Sequence, residues 1–306
     1  MEAALKTALL ATGKPGIIAF RGAYHGLGYG ALNATHRPLF RTPFHAQLRQ
    51  FGHFVDFPAA TAPLNPCGKT MDRLFRKHRI GAVLVEPVQG RGGIRVPPLE
   101  FLPRLRQQCN RHGALLIVDE IYTGFGRTGR WFACEHSQTV PDLICLGKAL
   151  TGGFPLSACV GRADLMDAAW PPSNGEAIHT STFLGHPVGC AMALAQIREI
   201  ERRQLVRRSH RLGRWLLAQL QSLAAHCPFP STARGLGLMA GLEFRESNET
   251  PATQLVLRLT TQMLHRGFIL LPEGEDSNVL GFTPPLTITR SQLQECLDCL
   301  ESLLAS

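Results

Sequence analysis

Over the first two-thirds of the chain, short runs that are apolar at nearly every position alternate with stretches whose apolar residues recur every three or four. Segments 16–20, 82–86, 114–119, 143–146 and 156–160 are of the first kind. They predict strands buried on both faces, as in a parallel sheet covered by helices. Segments 71–78, 101–112 and 189–200 are of the second kind and predict helices. The alternation predicts an α/β domain on a mostly parallel sheet. The rest of the chain has another pattern: a helical period over 203–225, an apolar strand at 236–244, a helix at 253–266, two short strands and a closing helix over 291–304. Thr289 and Gln292 have the spacing of a capping box ahead of that last helix. This is an α+β arrangement, so the boundary is placed near residue 200, with a large domain over 1–200 and a smaller one over 201–306. Segment 31–68 is rich in Pro, Phe and His, lacks a period, and is expected to be a long ordered loop.

Composition narrows the classes. The chain has 306 residues, 44% hydrophobic and 18% charged. That is room for about two domains and excludes wholesale disorder. No apolar run approaches the roughly 18 residues of a membrane span. The first residues, Met1-Glu-Ala-Ala-Leu-Lys6, resemble mid-helix sequence and carry no basic leader, so no signal peptide is expected. Nine scattered cysteines are an odd count and predict reduced thiols and a cytoplasmic location. Cys296-Leu-Asp-Cys299 is a single C-x-x-C with no second pair, so no metal site is expected. The net charge of +9 is spread along the chain. Its one dense run, six arginines between Arg202 and Arg214, follows a helical period and predicts a solvated helix face, with no nucleic-acid partner.

Ligands of open parallel sheets bind beyond the carboxyl ends of the strands, and three ionisable residues fall there. Glu86 and Asp119 end two predicted strands, and Lys148 follows a third. There are five lysines against 27 arginines, and Lys148 is the last lysine of the chain. A guanidinium cannot do covalent amine chemistry, whereas a lysine can. An acid beside a pyridinium nitrogen is the usual companion of such a lysine when the carbonyl partner is pyridoxal phosphate (PLP), and Asp119 fits that role. Gly124-Phe-Gly126-Arg-Thr-Gly129 matches the dinucleotide fingerprint. However, three residues separate it from the acidic strand end, and no helix N-terminus follows, so a dinucleotide site is not expected.

The segments Val118-Asp-Glu-Ile-Tyr-Thr-Gly-Phe-Gly-Arg-Thr-Gly129 and Pro141-Asp-Leu-Ile-Cys-Leu-Gly-Lys148-Ala-Leu-Thr-Gly-Gly153 resemble the signature of class III aminotransferases. So do Gly22-Ala-Tyr-His-Gly26, Val85-Glu-Pro-Val-Gln-Gly90, Ser181-Thr-Phe-Leu-Gly-His-Pro187 and Asn278-Val-Leu-Gly-Phe-Thr-Pro-Pro-Leu286. The resemblance covers essentially the whole chain. It implies fold type I of the PLP-dependent transferases, with a PLP-binding large domain and a smaller α+β domain.

The resemblance also implies site roles. Lys148 would bond covalently to the cofactor and then shuttle the substrate proton. Asp119 would keep the pyridine nitrogen protonated, Tyr24 would stack on the ring with His25 beside it, and Glu86 would support the site near Asp119. Tyr122 stands where many relatives have Gln and would hydrogen-bond the cofactor's phenolic oxygen. Thr182 would bind the cofactor phosphate of a neighbouring subunit, implying a homodimer with shared sites. The implied reaction is ping-pong amino transfer from an amino acid, ω-amino acid or amine to an oxo acid. A mutase or racemase of the same fold, and an inactive truncated remnant, are the alternatives.

Two departures from the family pattern stand out. The family's phosphate cup normally precedes the segment matching residues 2–6, so the chain resembles the last three-quarters of a member and is expected to be impaired without the cup. Many relatives carry Glu where Arg91 stands and Arg where Gly281 stands. Arg91 is therefore expected to hold a substrate carboxylate without a gate, or else to point to solvent.

Overall fold

The computed structural model describes residues 1–305. The chain divides into two compact units. The first comprises Met1–Pro87, Pro97–Gly124 and Cys134–Glu199. The second comprises Val88–Val96, Phe125–Ala133 and the chain from Ile200 onward.

The first unit is built on a six-stranded sheet of β1 (Gly16–Phe20), β2 (Gly52–Val55), β3 (Ile80–Val85), β4 (Leu115–Asp119), β5 (Leu143–Leu146) and β6 (Ala158–Gly161), in the order β2-β1-β3-β4-β5-β6. All neighbours are parallel except β5 and β6. Every residue of β1 and β3 is buried, which is why these segments show no apolar–polar alternation. Residues 17, 19, 82, 84, 117, 143 and 145 form one core layer with Ala4, Leu5 and Ala8 of helix Glu2–Thr12. That helix stops at Gly13, whose left-handed φ of 62° lets its N–H close on the Leu9 carbonyl. Elsewhere in the unit Phe20 packs edge-on against Phe101 at 5.2 Å, the first residue of helix Phe101–His112.

Segment 31–68 is not the continuous loop expected. Short helices at Tyr29–Leu32 and Pro38–Arg41 and a 3-10 turn at Thr42–Gln47 lead into the edge strand β2. Only Val55 of that strand is buried, so its sequence lacks the apolar run of a central strand. Position 52 requires glycine, because a Cβ there would stand 2.0 Å from the Asn33 carbonyl oxygen. Helix Asn65–Lys77 begins six residues before the predicted 71–78, since Met71 alone among its residues is fully buried.

The second unit carries an antiparallel sheet of β7 (Ser231–Leu236), β8 (Met239–Phe244), β9 (Leu271–Glu273) and β10 (Val279–Phe282), in the order β7-β8-β10-β9. Helices Leu205–His226, Thr253–His265 and Arg290–Leu304 share a core with it around Leu216, Leu220, Phe244, Leu259, Met263, Phe282 and Leu300. The single strand predicted at 236–244 is the turn and second arm of a hairpin. Its first arm, Ser-Thr-Ala-Arg-Gly-Leu, is only half-buried and carries little apolar signal. Thr289 and Gln292 form the reciprocal capping box. The arginines at 202, 203, 207, 211 and 214 are exposed, while Arg208 donates to the carbonyl of Ile288. Among the described residues no helix is long and apolar enough to cross a membrane. The mostly parallel sheet of the first unit and the antiparallel one of the second are the expected α/β and α+β patterns.

Candidate active site

Parallel register sets the acids of the first unit side by side. Val85 pairs with Val118 and Asp119 with Cys145, so Glu86, Asp119 and the Lys148 turn emerge at the same edge of the sheet. Asp119 is 4% exposed and its carboxylate is held from two sides. His25 Nδ1 lies 2.8 Å from Oδ2, and the Ile121 N–H donates to Oδ1 at 3.1 Å. With the carboxylate ionised, the His25 proton resides on Nδ1. His25 is anchored in turn: its backbone N–H donates to Thr35 Oγ1, whose hydroxyl donates to the Gly26 carbonyl. Glu86, also buried, accepts the Tyr24 backbone N–H at 2.9 Å. The Tyr24 ring meets Phe40 edge-on at 5.4 Å.

Lys148 opens a 3-10 turn, Lys148–Leu150, directly beyond β5, with a left-handed φ of 45°. That conformation is uncommon for a residue with a side chain and concentrates at functional positions. Its Nζ stands 4.0 Å from the Tyr122 ring centroid, a cation–π contact that aims the amine over the turn leaving Asp119. The same turn touches the lysine loop again, because a Cβ on Gly147 would meet Ile121 Cγ2 at 3.5 Å. The structure thus brings Tyr24, His25, Glu86, Asp119, Tyr122 and Lys148 to one end of one sheet. Tyr122 offers Lys148 its ring face.

Two further expected residues are Thr182 and Arg91. Thr182 is exposed in the loop before helix Pro187–Arg202. Arg91 belongs to the second unit, where its Nε lies 3.7 Å from Oε2 of Glu273, a residue only 2% exposed. Arg91 is therefore neither a bare surface group nor isolated, since it shares the environment of a buried acid on β9.

Glu120 was not singled out by sequence reasoning. It is fully buried, accepts the Cys134 N–H at 2.9 Å and takes the Thr123 hydroxyl. Alternation at a strand end points consecutive side chains to opposite faces, so Asp119 meets His25 while Glu120 secures the following loop. Its only sequence signal is adjacency to Asp119.

The glycines that mimic a dinucleotide fingerprint serve packing. Gly126 and Gly129 have φ of 89° and 85°, and a Cβ on Gly129 would stand 2.9 Å from the His210 Cα of helix Leu205–His226. Turns and a 3-10 helix at Ala133–Ser137 follow, with no α-helix N-terminus. Cys296 of the C-x-x-C lies in the second unit's apolar core.

The donor set fits PLP. An ionised carboxylate has about four acceptor sites, and His25 and Ile121 occupy two, leaving capacity for a protonated ring nitrogen. Lys148 supplies a primary amine at the same sheet end, and Tyr24 an aromatic ring.

Comparison with known proteins gives the same reading. The chain is 39% identical over 314 residues to a putrescine aminotransferase of Pectobacterium atrosepticum, covering 99% of this chain and 64% of that protein. It is 37% identical over 318 residues to a 5-aminovalerate aminotransferase of Pseudomonas aeruginosa, covering 99% of this chain and 73% of that protein. The chain thus spans less than two-thirds of the first relative's length. An amine transaminase from an uncultivated Pseudomonas species, solved with PLP bound, superposes with a TM-score of 0.90 at 32% identity, covering 99% of this chain and 74% of the other. An aminotransferase of Bacillus anthracis gives 0.91 at 26% identity, covering 99% and 73%. The model of the class-III aminotransferase family matches residues 1–304. Sheet order, the Asp119–Lys148 arrangement and the match over nearly all of its length place this chain in the PLP-dependent class-III aminotransferase family.

Proposed function

We propose that the protein transfers amino groups from a terminal amine, an α,ω-diamine or ω-amino acid, to an oxo acid. The observation that carries this reading is the left-handed Lys148 placed over Tyr122, beside a buried Asp119 braced by His25. PLP, when bound, supplies an electron sink for the carbon next to the substrate nitrogen. Asp119 holds a proton on the ring nitrogen. His25 and the Ile121 N–H keep that carboxylate oriented. Lys148 Nζ would take the proton from the substrate carbon and deliver it to the cofactor's former aldehyde carbon. Tyr24 and Tyr122 present ring faces that exclude water. The names of the two relatives, one for a diamine and one for an ω-amino acid, support the donor class.

In this reading the first unit is the PLP-binding domain and the second the small domain, and Arg91 contributes to carboxylate recognition. The working form is a cytoplasmic homodimer with Thr182 serving the neighbouring cofactor phosphate. Ile178, Phe183, Leu184, Val188, Met192 and Leu194, close to Thr182 in sequence, are all exposed, and exposed apolar side chains in such number are what an obligate interface covers.

The test is chemical. Borohydride treatment of PLP-loaded protein should attach the cofactor to the peptide containing Lys148, and Lys148→Ala should abolish both attachment and transfer from a diamine to an oxo acid. Attachment at another lysine, or undiminished transfer in Lys148→Ala, would overturn the reading.

A further inference from the structure

The β5–β6 hairpin sets two cysteines directly opposite each other. In its antiparallel register Cys145 pairs with Cys159. Opposed residues of such a pair have Cα atoms about 4.5 or 5.5 Å apart, depending on the hydrogen-bonding pattern. Both values fall inside the roughly 4.4–6.8 Å span of disulfides. The two side chains share one sheet face, in the layer that includes Leu143, Ile117 and Ala4. Both are free thiols, Cys145 fully buried and Cys159 half-buried on the edge strand.

We propose that Cys145 and Cys159 are an oxidisable dithiol, closed to a disulfide by hydroperoxides, which staples the base of the loop carrying Lys148. Reaction begins at Cys159, the thiol that solvent reaches. Its thiolate attacks the peroxide oxygen, the O–O bond breaks, and the departing oxygen leaves with a proton as water or an alcohol. Cys159 is then a sulfenic acid. The Cys145 sulfur attacks that sulfur, the S–O bond breaks, and water departs with the Cys145 proton. Two thiols are oxidised and one hydroperoxide is reduced.

The division of roles follows from the surroundings. The facing Cys145 thiol, ahead of the opposing effect of burial, holds the Cys159 thiol below its ordinary value. That direction favours the nucleophilic form. Cys145 is shifted the other way, first by the facing Cys159, then by burial and by Asp119 on the adjacent rung. It keeps its proton until the sulfenic acid forms. Elsewhere burial pushes Cys109, Cys134 and Cys296 up to about 12, leaving those thiols inert at neutral pH. A Cys145–Cys159 bridge would close a ring around residues 146–158, which contain Lys148. The dithiol itself does not depend on the amino-transfer reading.

Peptide mapping of the intact protein tests this. After equimolar hydrogen peroxide, alkylation in denaturant and digestion without reductant, we expect loss of two alkylatable thiols per chain. One cross-linked peptide pair should join Cys145 to Cys159 and disappear with dithiothreitol. In Cys159→Ser, the same treatment should leave Cys145 fully alkylatable. Because the wild-type map decides the question, a variant that fails to fold does not remove the test. Oxidation of the exposed Cys190 while both hairpin thiols stay free would overturn the proposal. So would a cross-link to a different cysteine, or Cys159 found as a sulfinic acid with Cys145 unmodified. The staple has its own readout: proteolytic cleavage within residues 147–157 should slow in the oxidised protein and recover on reduction, and unchanged cleavage would refute it.

Discussion

Replacing His25 with Leu removes the brace behind Asp119 with little change of volume. The His25 side chain is fully buried and that of Asp119 is 4% exposed, so water cannot substitute. The substitution leaves Oδ2 without its 2.8 Å donor. Among the described residues His25 Nε2 has no hydrogen-bond partner, so the polar loss falls on the Nδ1 contact. A hydrogen bond to a charged group contributes about 1.5–3 kcal/mol. If that amount helps keep the carboxylate aimed in the transition state, kcat/KM should fall roughly 10–150-fold. His25→Asn places an amide N–H near the position of Nδ1 and should recover most of the loss. Initial rates with a diamine donor and an oxo-acid acceptor measure the effect, with thermal melts to separate it from unfolding. A His25→Leu protein that folds and keeps kcat/KM within about threefold of wild type would refute the reasoning. Equal losses in the Leu and Asn variants would show that the ring, not its proton, matters.

Gly213→Ala should lower the urea midpoint although alanine favours a helix by about 1 kcal/mol. Its Cβ would stand 2.1 Å from the Gly237 carbonyl, and overpacking of that kind costs about 1–3 kcal/mol; a raised midpoint would show that the turn yields freely. Thr289→Ala removes the cap that accepts the Gln292 N–H and should cost about 1 kcal/mol, read as a lower denaturation midpoint; no change would mean the cap is replaced by solvent. Burial pushes the Glu243 carboxyl up, but Arg234 and Arg245 outweigh it and hold it below its ordinary value. Its stabilising effect is therefore fully present above the unfolded pKa of about 4.3 and is lost as pH falls through the lower folded value. Glu243→Gln should be less stable than wild type at neutral pH, with the gap closing in acid, and a gap independent of pH would refute the ion-pair account.

The central strands were legible because burial on both faces removes polar positions, and β1 and β5 occur at the predicted 16–20 and 143–146. Elements that bury one residue or less per turn were not. β2 is held by Gly52 against the Asn33 carbonyl, a contact that exists only once the chain has folded. The first arm of the β7–β8 hairpin hides for a related reason. Arg234 in it donates to the Gly93 and Ile94 carbonyls and pairs with Glu243, so a strand interior is stabilised by polar groups that sequence patterning assigns to loops. Within the site, Asp119 and Lys148 were visible as strand-end ionisable groups. His25 was visible only through a family motif, because its partner stands 94 positions away. Arg91 was expected against a substrate or in solvent, and its pairing with Glu273 joins segments that no local pattern relates.

The acid and the amine are set by the same ladder. Asp119 pairs with Cys145 in the β4–β5 register, and Lys148 follows Cys145 by three residues, with Gly147 against Ile121 and the amine over Tyr122. A one-residue slip of β5 would turn Cys145 away from its layer and expose apolar side chains, so the buried core of the sheet also specifies the separation of Asp119 and Lys148. The left-handed φ of Lys148 then sets its direction. That strain persists because the Leu150 N–H bonds the Gly147 carbonyl and the Thr151 hydroxyl bonds the Phe154 carbonyl, holding the turn from both sides. Placement comes from hydrophobic burial and aim from a few polar contacts, which is why substitutions in the Gly147–Phe154 turn should impair amino transfer before they impair folding.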